Sequence, residues 1–149
     1  MLKIGGVPMK ELILNEDKLK DKEIDDYVTR VKAIIVNDKK ELLLGFSYND
    51  YQFPGGHLEK EEEPVKGLIR ELKEETGYSS ENLEWILTIR TTVAFCDERI
   101  EVFVARNLIP GEQSLDEDEF VDVKAYELDE LKQMIFEGKI QDSKTMAAI

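Results

Sequence analysis

Cysteine and histidine are almost absent from this sequence, which contains one of each, Cys96 and His57. A single cysteine excludes an internal disulfide, so we expect a protein of the reducing cytoplasm. His57 belongs to a glycine turn with no sign of a supporting third group, and a cysteine nucleophile is therefore not expected. Long apolar runs and a signal-peptide pattern are also missing. We expect neither a transmembrane span nor a secretory leader.

Basic residues are also in short supply, because 20 lysines and arginines face 33 acidic residues, a formal net charge of -13. This charge argues against unaided binding to nucleic acid or to an anionic membrane. It would also repel a phosphate-bearing ligand unless a cation bridged the two. The hydrophobic content of 42% is typical of a soluble globular protein. We expect one domain over residues 1–149, with a partly disordered N-terminal extension at residues 1–28.

Apolar runs outside the centre of the chain predict strands and two C-terminal helices. Runs rich in β-branched and aliphatic residues, separated by polar turns, predict strands. Helical periodicity ended by a glycine predicts a helix near the C-terminus, and a shorter one follows it. The predicted strands cover residues 31–36, 42–46, 84–93, 100–108 and 121–128, with a turn at residues 37–40 and a weak strand at residues 9–14. The predicted helices cover residues 128–137 and 143–149. Periodicity alone therefore indicates an α+β or α/β domain.

The stretch around which the chain is organised runs from Pro54 to Tyr78, with the sequence PGGHLEKEEEPVKGLIRELKEETGY. Pro64 suits the first turn of a helix, and Gly77 suits the left-handed position just past its end. Between them, apolar side chains recur at helical spacing, which predicts an amphipathic helix with one buried stripe. The stripe comprises Val65, Leu68, Leu72 and Thr76, with Ile69 beside it.

Glu71, Glu74 and Glu75 share one arc of this predicted helix, at the border of the apolar stripe. Like-charge pairs at this spacing each cost roughly 0.2–0.5 kcal/mol, and the last turn of a helix favours cations. Arg70 lies on another face at helical spacing, where it does not offset the acidic cluster. A divalent cation would reverse the sign of these terms, because hard cations bind carboxylate oxygens. The alternative is an acidic surface that is simply solvated.

The spacing of the whole stretch is more specific than the glutamates alone. Gly56 is followed by five residues, Glu62, seven residues and the run RELKEETG from Arg70 to Gly77. This pattern resembles the signature of the Nudix hydrolases at every fixed position, and only Tyr78 departs, where an aliphatic residue is usual. The resemblance implies hydrolysis of a nucleoside diphosphate linked to another group. It also implies an α/β fold (α+β in some schemes), with a mixed sheet between helices in an α/β/α sandwich.

The resemblance assigns roles to residues of the signature. A divalent cation, Mg²⁺ or Mn²⁺, is the implied cofactor. Its implied ligands are the carbonyl of Gly55 and the carboxylates of Glu71, Glu74 and Glu75. The implied catalytic residues within the signature are Glu71, Glu74 and Arg70, the last as a group that orients a glutamate. Glu62 is expected either to support the metal ligands without binding the metal or to act as an auxiliary ligand.

A general base is expected from the acidic loop at residues 116–119, because related enzymes use a loop glutamate far from the signature. Glu117 is the first choice and Glu119 the second, since a glutamate side chain reaches further than an aspartate. If neither serves, the base is Glu71 or another signature glutamate. The alternative is that this acidic run is only solvated, as such runs commonly are.

The C-terminal half resembles that of ADP-ribose pyrophosphatases, through QSLDEDEFVDV and the later ELDELKQMIFEGKIQDSKTMAAI. The chain lacks their usual proline–glycine pair after the signature, and its N-terminal region is shorter. ADP-ribose or a related nucleotide sugar is the expected substrate. The alternatives are a triphosphate pyrophosphohydrolase that sanitises damaged nucleotides and a non-catalytic module that senses a nucleotide sugar. Binding to nucleic acid or a membrane is not expected, and a homodimer stays open.

Overall fold

The computed structural model describes residues 28–92, 98–115 and 119–149, together with the backbone at Lys3–Ile4 and Val7–Pro8. Most of the predicted N-terminal extension, Cys96 and Glu117 therefore lie outside the described residues. The strands are β1 Lys3–Ile4, β2 Val7–Pro8, β3 Thr29–Val36, β4 Leu42–Ser47, β5 Asp50–Gln52, β6 Asn82–Arg90, β7 Arg99–Arg106 and β8 Asp122–Tyr126. The helices are α1 Pro64–Thr76, α2 Leu128–Phe136 and α3 Ser143–Ala148.

The main sheet is mixed, as predicted. Its strand order is β5-β4-β3-β7-β6, and β8 pairs with β4. β3 and β7 run parallel, whereas the other neighbours in this sheet are antiparallel. β1 and β2 form a separate antiparallel pair. β3 is central in the sheet, and backbone hydrogen bonds join it to β4 on one side and to β7 on the other.

Successive side chains of β3 point to opposite faces of the sheet and so belong to two different apolar clusters. Val31, Ala33 and Ile35 pack on one face with Leu68 and Leu72 of α1. The opposite face carries a second cluster, which comprises Ile34, Leu44, Phe53, Ile100, Val102, Val104, Tyr126, Leu131, Met134 and Ile140. Because α1 packs on one face of the sheet and α2 on the other, the predicted α/β/α sandwich is confirmed.

The limits of α1 agree with the sequence analysis. Pro64 occupies the first turn, and Gly77 has a φ of 73° and donates its N–H to the carbonyl of Lys73. The buried stripe is narrower than predicted, because Val65 and Ile69 are exposed. Among the described residues, no helix is long and apolar enough to cross a membrane.

Most predicted strands are confirmed, with ends shifted by a few residues, and both C-terminal helices are present. β5 was not predicted, because Asp50-Tyr51-Gln52 is short and polar and is held by pairing with β4. A weak strand predicted at residues 9–14 lies outside the described residues. The turn predicted at residues 37–40 is present, with Lys40 N–H donating to the carbonyl of Asn37.

The N-terminus of α3 fixes the start of the signature loop. Asp142 caps α3 by accepting from the backbone N–H of Thr145. The buried Thr145 hydroxyl donates to Asp142 at 2.7 Å and accepts from the backbone N–H of Phe53 at 3.1 Å. Phe53 directly precedes Pro54, so a contact between residues 92 positions apart sets where the loop begins.

We expect Thr145→Val to lower the free energy of unfolding by roughly 1–3 kcal/mol, since it leaves the buried Phe53 N–H without a partner. Thr145→Ser keeps the hydroxyl and serves as the matched control. Urea titration followed by circular dichroism measures both. Equal stability of the two variants would show that this hydrogen bond contributes nothing.

Candidate active site

The segment from Pro54 to Leu58 runs beside β3 and is held to it by backbone hydrogen bonds. Ala33 N–H donates to the Pro54 carbonyl at 2.9 Å, and Val31 N–H donates to the Gly56 carbonyl at 3.0 Å. Leu58 N–H donates in turn to the carbonyl of Thr29. Anchoring on the central strand leaves this segment little freedom.

Gly55 can approach β3 only because it has no side chain. Its φ is 128°, and an added Cβ would lie 2.2 Å from the Val31 carbonyl oxygen. Both the backbone conformation and the close approach exclude other residues. The close approach therefore explains why a glycine stands at this position.

Two signature carboxylates meet this loop. Glu75 Oε2 accepts from the backbone N–H of Gly55 at 2.6 Å. A Cβ at Gly56 would lie 2.5 Å from Glu71 Oε2, so the carboxylate of Glu71 is packed directly against that glycine. Glu71 and Glu75 are four positions apart on α1, and both project toward the same loop.

Arg70 contacts the acidic cluster, which corrects the prediction that it lies apart from it. It donates to both oxygens of Glu62, at 3.1 and 3.0 Å, and to Glu71 Oε1 at 2.8 Å. It also donates to Glu74 Oε2 at 3.2 Å and to the His57 carbonyl at 3.1 Å. The prediction was wrong because Arg70 lies one turn before Glu74, and residues four positions apart are neighbours on the surface of a helix. The predicted orienting role fits these contacts and stays a prediction.

Burial leaves negative charge on the cluster poorly compensated. Burial raises the pKa of Glu75 from 4.5 to about 7, although the nearby Lys32 cation and the Gly55 N–H oppose the shift. Burial likewise raises the pKa of Glu71, against the opposing effect of Arg70. Hydrogen bonds from Arg70 instead lower the pKa of Glu62. The two carboxylates that contact the loop are those whose ionised form burial penalises.

Lys32 is a site residue that the sequence analysis missed. Its side chain is only 6% exposed, and its Nζ donates to the Gly55 carbonyl at 2.6 Å and to Gln52 Oε1 at 3.4 Å. Burial lowers the pKa of Lys32, and the charge of Glu75 opposes that shift. A lysine inside the apolar run VKAIIV of a central strand was the available signal, because such residues are rarely buried without a partner.

The donor set fits a hard divalent cation in its chemistry, since two half-buried carboxylates and a carbonyl surround Gly55. No three acidic, histidine or cysteine side chains of the described segments converge in a metal-binding arrangement. Instead, Arg70 holds Glu71 and Glu74, and Lys32 holds the Gly55 carbonyl. A cation would compete with these two side chains for the same oxygens.

A cavity of about 230 Å³ opens beside Gly55 and Glu75. Its lining includes two basic residues, Arg30 and Lys32, and two acidic residues, Glu75 and Glu119. Glu119, the second choice for the base, is thus brought to the signature helix, and its charge adds to the raised pKa of Glu75. The remaining lining residues are Ser47, Tyr48, Gln52, Gly55, His57, Phe120 and Val121. We call this space the polar cavity.

Comparison with known proteins agrees with the geometry. The model of the NUDIX domain matches residues 26–149. An ADP-ribose pyrophosphatase of Bacillus subtilis (strain 168) is 31% identical over 155 residues, which span 99% of this chain and 84% of that protein. A methanol dehydrogenase activator of Bacillus methanolicus is 38% identical over 136 residues, or 86% of this chain and 74% of that protein. The crystal structure of an ADP compounds hydrolase has the same fold, with a TM-score of 0.73 and 18% identity over 83% of this chain and 69% of that one.

We expect Gly56→Ala to fold and to displace the carboxylate of Glu71, because the new Cβ meets only the flexible end of that side chain. Calorimetric titration with Mn²⁺ should show weakened binding, while the melting temperature changes by a few degrees at most. Gly55→Ala is the contrasting variant, because its Cβ meets the backbone of Val31 and the fold should be strongly destabilised. Unchanged metal binding in a folded Gly56→Ala protein would contradict this account of Glu71.

We expect Glu75→Gln to stabilise the metal-free protein above pH 7 and to have little effect below pH 4.5. The pKa of Glu75 is raised from 4.5 to about 7 in the fold, so its contribution to stability falls as pH rises through this window. The neutral glutamine does not titrate and escapes that loss. Thermal melts in chelator across pH 4–9 measure the difference, with the exposed Glu81→Gln as the control for net charge. A constant difference at every pH would contradict the raised pKa.

Proposed function

This chain belongs to the Nudix family, and from that membership we propose that it is a divalent-metal-dependent pyrophosphohydrolase of ADP-ribose or a related nucleotide sugar. That it is a pyrophosphohydrolase follows from the family and its relatives. The observation that carries the proposal is the polar cavity, where Glu75 and the Gly55 loop face the cations Arg30 and Lys32. Such a cavity suits a diphosphate together with a cation.

The B. subtilis relative supports the choice of ADP-ribose, since it is an ADP-ribose pyrophosphatase and aligns with nearly the whole chain. The C-terminal resemblance has a structural explanation as well. Asp142 and Thr145 anchor Phe53, and Ile140 is buried in the core. These positions therefore support the relation in fold, whereas the substrate is argued from the relative and the cavity.

Glu71, Glu74, Glu75 and the carbonyl of Gly55 would hold the Mg²⁺ or Mn²⁺ ions. When bound, such cations neutralise phosphate charge and lower the pKa of water. Arg70 would orient Glu71 and Glu74 through the hydrogen bonds described above, and Glu62 would assist by fixing Arg70 from its other side. Glu62 is then a positioning residue for the cluster rather than a direct ligand.

Arg30 and Lys32 would bind the non-bridging oxygens of the diphosphate, because both line the polar cavity. Arg30 is held in place by Glu98 at 2.8 Å. Water adds to one phosphorus, and the bond from that phosphorus to the bridging oxygen breaks. ADP-ribose would thereby give AMP and ribose 5-phosphate, and the proton of the attacking water passes to a base.

Glu119 is our choice for that base among the described acids, because it lines the polar cavity together with Glu75. Glu75 is the second candidate, since a pKa of about 7 suits proton transfer near neutral pH. Glu117, the first choice from sequence, lies outside the described residues and stays a proposal. Glu71 remains as a further alternative from the signature.

The alternative functions lead to different products. A triphosphate pyrophosphohydrolase would release pyrophosphate from a nucleoside triphosphate, and a sensing module would bind a nucleotide sugar without cleaving it. The proposal also includes a small-molecule nucleotide as partner and no binding to nucleic acid or to a membrane. It further includes a possible homodimer and a cytoplasmic location. The net charge of -13 supports the absence of nucleic-acid and membrane binding.

We expect purified protein to convert ADP-ribose to AMP and ribose 5-phosphate with Mg²⁺ or Mn²⁺ and to lose this activity in chelator. Glu75→Gln should lower kcat by orders of magnitude, and Glu119→Gln by roughly 10²–10⁴-fold with residual turnover. Anion-exchange chromatography identifies the products from ADP-ribose, nucleoside triphosphates and 5′-triphosphorylated RNA. Full activity in chelator would refute the metal dependence. Faster release of pyrophosphate from nucleoside triphosphates would favour a triphosphate pyrophosphohydrolase.

A further inference from the structure

A second cavity, of about 430 Å³, adjoins the polar cavity. The two share Ser47, Tyr48, Phe120 and Val121 in their linings. The other lining residues of the second cavity are Phe46, Leu115 and Asp122, so this space is mostly apolar. We call it the apolar cavity. A ligand with a charged end and a flat apolar end would fit across the shared boundary.

Tyr48 stands at that boundary in a conformation that tyrosine rarely adopts. It forms the two-residue turn between β4 and β5 with Asn49, and the pair Ser47–Asp50 closes the turn. Both turn residues have positive φ, 49° at Tyr48 and 62° at Asn49, which is the pattern of a type I′ turn. Asparagine and glycine are preferred at these positions, whereas a bulky aromatic residue is strained there.

Within the described residues, no contact of the Tyr48 side chain compensates for this strain. Its side chain is 87% exposed and makes no hydrogen bond or ring contact with another described residue. A residue that breaks a local rule without a structural gain is a candidate for function. Tyr48 lines both cavities, and this location indicates contact with a ligand.

Phe120 provides a second exposed aromatic ring at the same boundary, with 82% of its surface open to solvent. A single exposed aromatic residue needs no explanation, and Phe136 on α2 is equally exposed. Tyr48 and Phe120 differ from Phe136 because both line the two cavities, and Phe136 lines neither. They come from a hairpin turn and from the loop that carries Glu119, so two separate elements supply the pair.

We propose that Tyr48 and Phe120 form an aromatic clamp that stacks the nucleobase of the substrate, while its diphosphate lies in the polar cavity. This rests on the proposed function, because it takes the substrate to be a nucleotide derivative. A nucleobase is the part of such a substrate with a flat π-face, which is what two exposed aromatic rings recognise. The alternative occupant is the second sugar, which has no such face.

The first experiment compares substrates with and without a base. Base stacking is typically worth enough that Tyr48→Ala or Phe120→Ala should each raise KM for ADP-ribose roughly 5- to 150-fold. We expect kcat to stay within about threefold, because the cations and carboxylates of the polar cavity are untouched. Phe136→Ala is the matched control for loss of an exposed aromatic ring. KM for the base-free phosphoanhydride 5-phosphoribosyl 1-pyrophosphate should not change. An equal rise for both substrates, or none for ADP-ribose, would overturn the clamp.

A second experiment separates the clamp from hydrolysis. In Trp85→Phe, Tyr48→Trp becomes the only tryptophan and reports on its own surroundings. Saturable quenching by nucleoside monophosphates, but not by ribose 5-phosphate, supports stacking even if no substrate of the panel is cleaved. Equal quenching by both, or none, would overturn it, whatever the outcome of the hydrolysis assay.

A third variant tests the strain. Tyr48→Asn places a preferred residue in the type I′ turn, so the melting temperature should stay the same or rise while KM for ADP-ribose rises. A purely structural tyrosine would behave in the opposite way. A lower melting temperature with an unchanged KM would show that Tyr48 serves the fold and not the ligand.

Discussion

The two hydrogen bonds of Gly55 are the interaction on which the rest of the site depends. Its N–H is held by Glu75 and its carbonyl by Lys32, both at 2.6 Å. These bonds join the signature helix to the central strand through a single residue. A side chain at this position would collide with the backbone of Val31, so the connection requires a glycine. The position of the carboxylates therefore follows from backbone geometry, which is fixed before any ligand binds.

That connection also decides where negative charge is left uncompensated. Arg70 donates to Glu62, Glu71 and Glu74, so one guanidinium serves three carboxylates. Glu75 is not among these partners, and the buried Lys32, its nearby cation, bonds to a carbonyl instead. Burial then outweighs the attraction and raises the pKa of Glu75. The need for a further cation is thus greatest at Gly55 and Glu75, beside the polar cavity.

The sequence was sufficient for the parts of the structure that short-range rules control. Pro64 and Gly77 marked the ends of α1, and the spacing of the glutamates marked the acidic arc. It was not sufficient for long side chains, whose partners are set by packing. Arg70 binds Glu62 in the loop before its own helix, and Lys32 meets Gly55 across 23 positions. β5 was missed for the same reason, since its pairing with β4 outweighs its polar sequence.

Three departures from local rules converge on one part of the molecule. Like charges crowd the last turns of α1, a lysine is buried in a central strand, and a tyrosine occupies a turn suited to asparagine or glycine. Each would be a small loss of stability if it stood alone. Glu75, Lys32 and Tyr48 come from three different elements, yet all line the polar cavity. Only the first belongs to a recognisable signature, so the proximity of the other two to it is visible only once the fold has brought them together. Glu75 and Lys32 offset part of their cost through their hydrogen bonds to Gly55, whereas the ring of Tyr48 has no such partner among the described residues, so the strained turn is the departure that indicates a ligand most directly.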